Sequence, residues 1–251
     1  MKQEKKRLKE NIYFSNRTDW GQSTAMKPRL SLLCSLLSLL LLPAMWLPGA
    51  TNQFTRWEKE ITAFERADQT NPPPKNAALF VGSSSIRMWR SLARDFPGYQ
   101  VINRGFGGSQ IVDSTYFAER IVIPHQPRLV VMYAGGNDLN GGKSPEQVLA
   151  DFQAFVKTVR DRLPQTRIAY ISIAPNPARW TQIARIKTAT KLIADYIKES
   201  KNLVFIDVFP HMLAPDGLPK PDIYLNDQLH MNTNGYAIWR EVVGPFLKEK
   251  P

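Results

Sequence analysis

Arg128-Leu129-Val130-Val131-Met132-Tyr133-Ala134-Gly135-Gly136-Asn137-Asp138 is the stretch from which the fold can be read. Apolar side chains run without interruption into two glycines and an Asn-Asp pair. A strand with one wet face would alternate apolar and polar residues. Unbroken hydrophobicity at strand length therefore marks a strand covered on both sides. The glycines and Asn-Asp mark the turn where it ends.

Outward from this stretch the same grammar repeats. Ala77–Val81 (AALFV), residues 167–173 (RIAYISI) and residues 203–206 (LVFI) read as further buried strands, and Gln100–Ile102 leads into a Gly-rich turn. Amphipathic segments separate them. Residues 55–68 predict a helix whose Trp57, Ile61 and Phe64 share one face and pack into the core. Ser144-Pro145-Glu146-Gln147 opens a long helix: Ser144 caps it, Pro145 takes the first helical position, and Gln147 completes a capping box. Helices are also expected around 181–199 and from about Asn234 to Lys248. Continuous strands alternating with helices predict a parallel sheet covered on both faces, a three-layer α/β/α sandwich. Ligands in such folds sit at the carboxyl ends of the strands.

Composition narrows the functional classes. The chain has 251 residues, 43% hydrophobic and 22% charged, which excludes wholesale disorder and collagen. One cysteine, Cys34, permits no internal disulfide and no Cys-based metal site. His125, His211 and His230 are widely spaced, so no zinc-hydrolase pattern is present and neither metal nor cofactor is expected. The net charge of +11 is concentrated at the front, where residues 1–29 hold eight Lys/Arg against three acidic residues. The remainder carries 25 basic and 19 acidic groups with no dense basic run, so no nucleic-acid partner is expected.

After the basic residues 1–29, Leu30–Leu42 (LSLLCSLLSLLLL) begins an uncharged stretch reaching Pro48. A charged lead followed by an apolar run has the form of an export signal, and residues 30–48 are also long enough to anchor in a bilayer if uncleaved. A buried core helix is the third reading. Met26-Lys27-Pro28-Arg29 resembles a signal start, which would make residues 1–25 an extension. The expected location is outside the cytoplasmic membrane, periplasmic or extracellular, with membrane attachment through residues 30–48 if they persist. Residues 51–251 then form one domain by size.

Four segments close the strands or precede the last helix. They are Gly82-Ser83-Ser84-Ser85, the run Asn103-Arg104-Gly105-Phe106-Gly107-Gly108, Gly135-Gly136-Asn137-Asp138, and Asp227-Gln228-Leu229-His230. Each has a bland reading: a serine after a strand caps a helix, glycines serve backbone geometry, Asn-Asp makes turn bonds. Together they supply what acyl transfer requires. A serine hydroxyl needs a base, which His230 can be, and a carboxylate such as Asp227 must orient that base. The oxyanion needs preorganised donors, available as the N–H groups of Ser84 and Gly108 and the side-chain amide of Asn137.

These segments, in this order, resemble the four sequence blocks of the SGNH (GDSL-like) hydrolase superfamily. Phe80–Trp89 is similar to the first block, and Asp227…His230-Met231-Asn232…Gly235-Tyr236…Trp239 is similar to the family's C-terminal signature. The resemblance covers about residues 77–242. It implies a flavodoxin-like α/β/α sandwich and metal-free ester hydrolysis through an acyl-enzyme. Ser84 would be the nucleophile, His230 the base, Asp227 its orienting carboxylate, and Ser84, Gly108 and Asn137 the oxyanion hole. The name-giving Asp is replaced by Ser83, so the nucleophile is assigned by its distance from Gly82, with Ser85 and Ser83 as alternatives.

Substrates in this reading are small-molecule, lipid or glycan esters, with short acyl or O-acetyl esters favoured by the compact 51–251 body. The other readings are a lysophospholipase or thioesterase, and a membrane-tethered binding module on a retired hydrolase fold. A dinucleotide site fails because Gln110 stands where G-x-G-x-x-G needs its last glycine. Arg104, Arg179 and Trp180 are candidate pocket residues, with Arg87 as a further anion-binding candidate. Asp138 and Asp207 read as local hydrogen-bond formers, and His125 and His211 as surface residues.

Overall fold

The computed structural model describes residues 52–248. The basic and apolar segments of residues 1–48, with their export or anchor reading, lie outside the described residues. Five strands, β1 (Ala78–Gly82), β2 (Val101–Gly105), β3 (Leu129–Tyr133), β4 (Arg167–Ile171) and β5 (Leu203–Ile206), form one sheet in the order β2-β1-β3-β4-β5. Every pairing is parallel. This is the flavodoxin-like order, and its direction of winding reverses between β1 and β3.

The helices are α1 (Glu58–Thr70), α2 (Ser84–Arg87), α3 (Leu92–Asp95), α4 (Ile111–Tyr116), α5 (Ala118–Ile121), α6 (Gly136–Asn140), α7 (Pro145–Arg162), α8 (Ile183–Lys198) and α9 (Thr233–Leu247). Because side chains alternate along a strand, each strand feeds two cores. Leu79, Val81, Ile102, Val130, Met132, Ile168 and Tyr170 pack against α1, α4, α7 and α8. Ala78, Phe80, Leu129, Val131, Ala169 and Ile171 pack on the other face against Trp89, α3 and α9. The three layers are those expected from the apolar pattern.

Local rules account for the long helices. In α7 the Ser144 Oγ accepts from the Gln147 N–H at 3.2 Å, and Gln147 Oε1 accepts from the Ser144 N–H at 2.7 Å. Its apolar face buries Val148, Phe152, Phe155, Val156 and Val159. In α1, Ile61 is buried, and Trp57, in the short 3₁₀ turn preceding α1, and Phe64 pack against the same cluster.

Two expectations are corrected. β2 does not yield to a turn at Ile102 but runs on to Gly105, so Arg104 is a strand residue. Arg104 lies on the same strand face as Ile102, toward α1. There its Nη2 donates to both Asp68 carboxylate oxygens, at 2.5 and 2.7 Å, and it packs over the Phe64 ring. His125 is buried beside this pair rather than on the surface, with Nε2 3.5 Å from Asp68. Among the described residues no helix is long and apolar enough to cross a membrane.

Candidate active site

β1 and β3 flank the point where the winding reverses, and the segments following them build the site. Gly82 closes β1 at φ +133°, and a Cβ there would stand 2.0 Å from the Tyr133 carbonyl oxygen. Glycine alone lets the chain leave β1 so close to β3. The Ser83 N–H donates to that carbonyl at 3.0 Å, and α2 begins at once with Ser84. On the β3 side, Asp138 is buried and accepts from the Gly135 N–H, the Ile111 N–H and Lys143. Burial raises its pKa and Lys143 opposes the rise. Asp138 thus acts within the fold, holding the turn that presents Asn137.

His230 comes from a loop closed by an antiparallel bridge between Tyr224 and Met231. Within it Gln228 adopts the left-handed region at φ 56°, which turns Asp227 back on the residues that follow. Asp227 Oδ1 accepts from the N–H groups of Leu229 and His230, at 3.0 and 2.9 Å. Its Oδ2 lies 2.6 Å from His230 Nδ1. A carboxylate only accepts, so Nδ1 carries the proton and Nε2 keeps its lone pair. Nε2 stands 2.9 Å from Ser84 Oγ, a contact bridging 146 positions of sequence. Desolvation raises the Asp227 pKa, but the bonds from His230 and Leu229 outweigh it and bring the value down to about 2.

Of the three adjacent serines, Ser84 is the one hydrogen-bonded to His230; Ser83 is buried and Ser85 is only partly exposed. The N–H groups of Ser84 and Gly108 have no hydrogen-bond partner among the described residues. A Cβ on Gly108 would lie 3.7 Å from Asn137 Nδ2, an ordinary contact distance, so the Gly108 backbone stands beside the amide. Ser84, Asn137, Arg179 and His230 all face one cavity of about 30 Å³, whose apolar wall is Tyr133, Ile173, Ala174, Tyr224 and Met231.

Of the predicted pocket residues, only Arg179 belongs to this wall. Arg104 is committed to Asp68 on the α1 side of the sheet, as described above. Trp180 is half-buried outside the wall: the Pro177–Gln182 turn is kinked at Arg179 (φ −122°, ψ 21°), and only Arg179 of the two faces the cavity. Arg87 is exposed and lies 3.8 Å from Glu60, away from the cavity. Two contributors were missed in sequence. Tyr133, the last residue of β3, was readable as a strand-end side chain. Asn176-Pro177 was a helix-start signal, and the Asn176 Oδ1 caps the turn by accepting from the Arg179 N–H at 2.9 Å.

A hydroxyl joined through imidazole to a carboxylate, at the carboxyl end of a parallel α/β sheet, is the arrangement of the GDSL-like (SGNH) hydrolase class. The GDSL-like lipase/acylhydrolase family matches residues 76–238, and the chain belongs to that family. It is 28% identical over 184 residues to the platelet-activating factor acetylhydrolase IB subunit alpha1 of Pongo abelii, covering 68% of this chain and 74% of that one. Among solved structures it resembles a GDSL-like lipase from Bacteroides thetaiotaomicron, with a TM-score of 0.61 and 19% identity over 78% of this chain and 97% of that one. It also resembles a carbohydrate esterase family 3 protein from Talaromyces cellulolyticus, with a TM-score of 0.57 and 20% identity over 68% and 95% of the two chains.

Proposed function

We propose that this hydrolase cleaves carboxylic esters with small acyl groups, acetyl foremost, through a covalent Ser84 acyl-enzyme. The carrying observation is the continuous chain from Ser84 Oγ to His230 Nε2 at 2.9 Å and from His230 Nδ1 to Asp227 at 2.6 Å. His230 takes the proton as Ser84 Oγ attacks the ester carbonyl, and Asp227 stabilises the resulting imidazolium. The Ser84 N–H, the Gly108 N–H and Asn137 Nδ2 receive the charge on the carbonyl oxygen. His230 then protonates the departing alcohol. Water, deprotonated by the same imidazole, attacks the acyl carbon and releases the acid, returning Ser84 to its hydroxyl form.

The small cavity supports the short-acyl reading. A cavity of about 30 Å³ beside Ser84 favours a small acyl group over a long chain. The relative's name, a platelet-activating factor acetylhydrolase subunit, agrees in kind with an acetyl group. The test is a series of p-nitrophenyl esters from acetate to octanoate, with Ser84→Ala as the control. Acetate should be the best substrate by kcat/KM. A preference for octanoate would favour the lysophospholipase reading, and no rate above the control for any ester would favour the binding module.

A further inference from the structure

Arg179 lines the cavity without a carboxylate partner among the described residues, and its guanidinium makes one hydrogen bond there, from Nη2 to Asn137 Oδ1 at 3.0 Å. A partly buried cation with no counter-charge is costly unless hydrogen bonds compensate, so this one contact carries weight. The other end of the same amide, Asn137 Nδ2, donates to the Ser109 carbonyl at 3.1 Å. A guanidinium only donates and a carbonyl only accepts. The two neighbours therefore demand the same orientation of the amide. Turning it over would set NH₂ against guanidinium and oxygen against oxygen, two repulsions at once.

We propose that Arg179 is a positioning residue that locks the Asn137 amide with its NH₂ group toward the substrate oxyanion. The inference rests on the esterase reading and adds to it the device that keeps the oxyanion donor from flipping. Drawing electron density from Oδ1 through a charge-assisted bond also makes the N–H of the same amide a stronger donor. Arg179 is itself held. Asn176 caps its turn at 2.9 Å, and the neighbouring Ala178 N–H donates to the Gln228 carbonyl at 3.1 Å. One short turn thus ties the oxyanion donor to the loop that carries Asp227 and His230.

The experiment is a double-mutant cycle on the full chain, assayed with p-nitrophenyl acetate, a neutral substrate. Arg179→Met should lower kcat by about 10- to 100-fold with KM changed by less than about twofold, a fraction of what loss of an oxyanion donor costs. Arg179→Lys, which keeps a charged donor, should recover most of that loss. In an Asn137→Ala background Arg179→Met should cost less than about threefold, since no amide remains to be positioned. Equal losses in both backgrounds would overturn the proposal, as would a change confined to KM for an anionic ester. If Arg179→Met does not fold, Arg179→Gln and Arg179→Lys carry the same cycle. A wild type no faster than Ser84→Ala would overturn the esterase reading and this one together. An active wild type with an unimpaired Arg179→Met overturns this one alone.

Discussion

The Asp227 carboxylate holds His230 at two points, the ring Nδ1 at 2.6 Å and the backbone N–H at 2.9 Å. One side chain thereby sets the tautomer of the imidazole and the path of the backbone behind it. Asp227→Asn replaces an acceptor with a group that can donate, which favours the wrong tautomer. The expected result is a fall in kcat of roughly 10³–10⁴-fold with KM little changed, measured by steady-state kinetics.

The same contact makes a pH prediction. The Asp227 pKa is depressed from 3.8 to about 2, so the unfolded chain takes up this proton before the folded one does. Its contribution to stability is complete above about pH 4 and is lost as the pH falls through about 2. Asp227 is half exposed, so the effect is small. Urea unfolding across that window should show a shallower acid loss in Asp227→Asn than in wild type.

His125 works in the opposite chemical sense. Burial, and then Arg104, depress its pKa below 6.5, while Asp68 opposes them and Lys75 adds to the depression. The neutral buried ring contributes its full stability above about pH 6.5, and this declines as the pH drops below that value, because the unfolded chain protonates first. His125→Gln should flatten the difference in urea midpoint between about pH 7.5 and about pH 5.5. An unchanged pH slope would mean that the ring is not the titrating group.

Ser84→Ala and His230→Ala should each lower kcat by roughly 10³-fold or more, and Asn137→Ala by roughly 10²–10³-fold. A fluorophosphonate should label Ser84, read by peptide mass. Labelling at Ser85 would reassign the nucleophile. EDTA should leave the rate unchanged.

Ile173 stands in the cavity wall and is almost fully buried. Ile173→Ala should open the acyl end and raise the butyrate-to-acetate ratio of kcat/KM by about tenfold or more, since a methylene in an apolar pocket is worth 10- to 200-fold. The same ratio in both proteins would place the acyl group elsewhere.

Much of this was legible in one dimension because the relevant signals are short-range. Ser144 and Gln147 announce the start of α7 within four residues, and the unbroken run Leu129–Met132 marks a doubly covered strand. Asp227 and His230 are three residues apart, so a single turn suffices to join them. Arg104 was less readable. A charged residue at the head of a Gly-rich run looks like a turn, and only the register of β2 against β1 shows it to be a strand residue facing α1. His125, next to Pro124, likewise gives no local sign of the Arg104–Asp68 pair that buries it.

The amino-acid sequence by itself determined a parallel three-layer sandwich, because periodicity, capping and turn chemistry act between near neighbours, and the order of its serine, glycine, asparagine and histidine blocks carried the resemblance to the family. Tertiary structure alone decided which serine meets His230, which arginine faces the cavity, and how little room lies beside Ser84. Those outcomes depend on strand register and on loops from distant parts of the chain arriving at the same few cubic ångströms, and no local preference encodes that convergence.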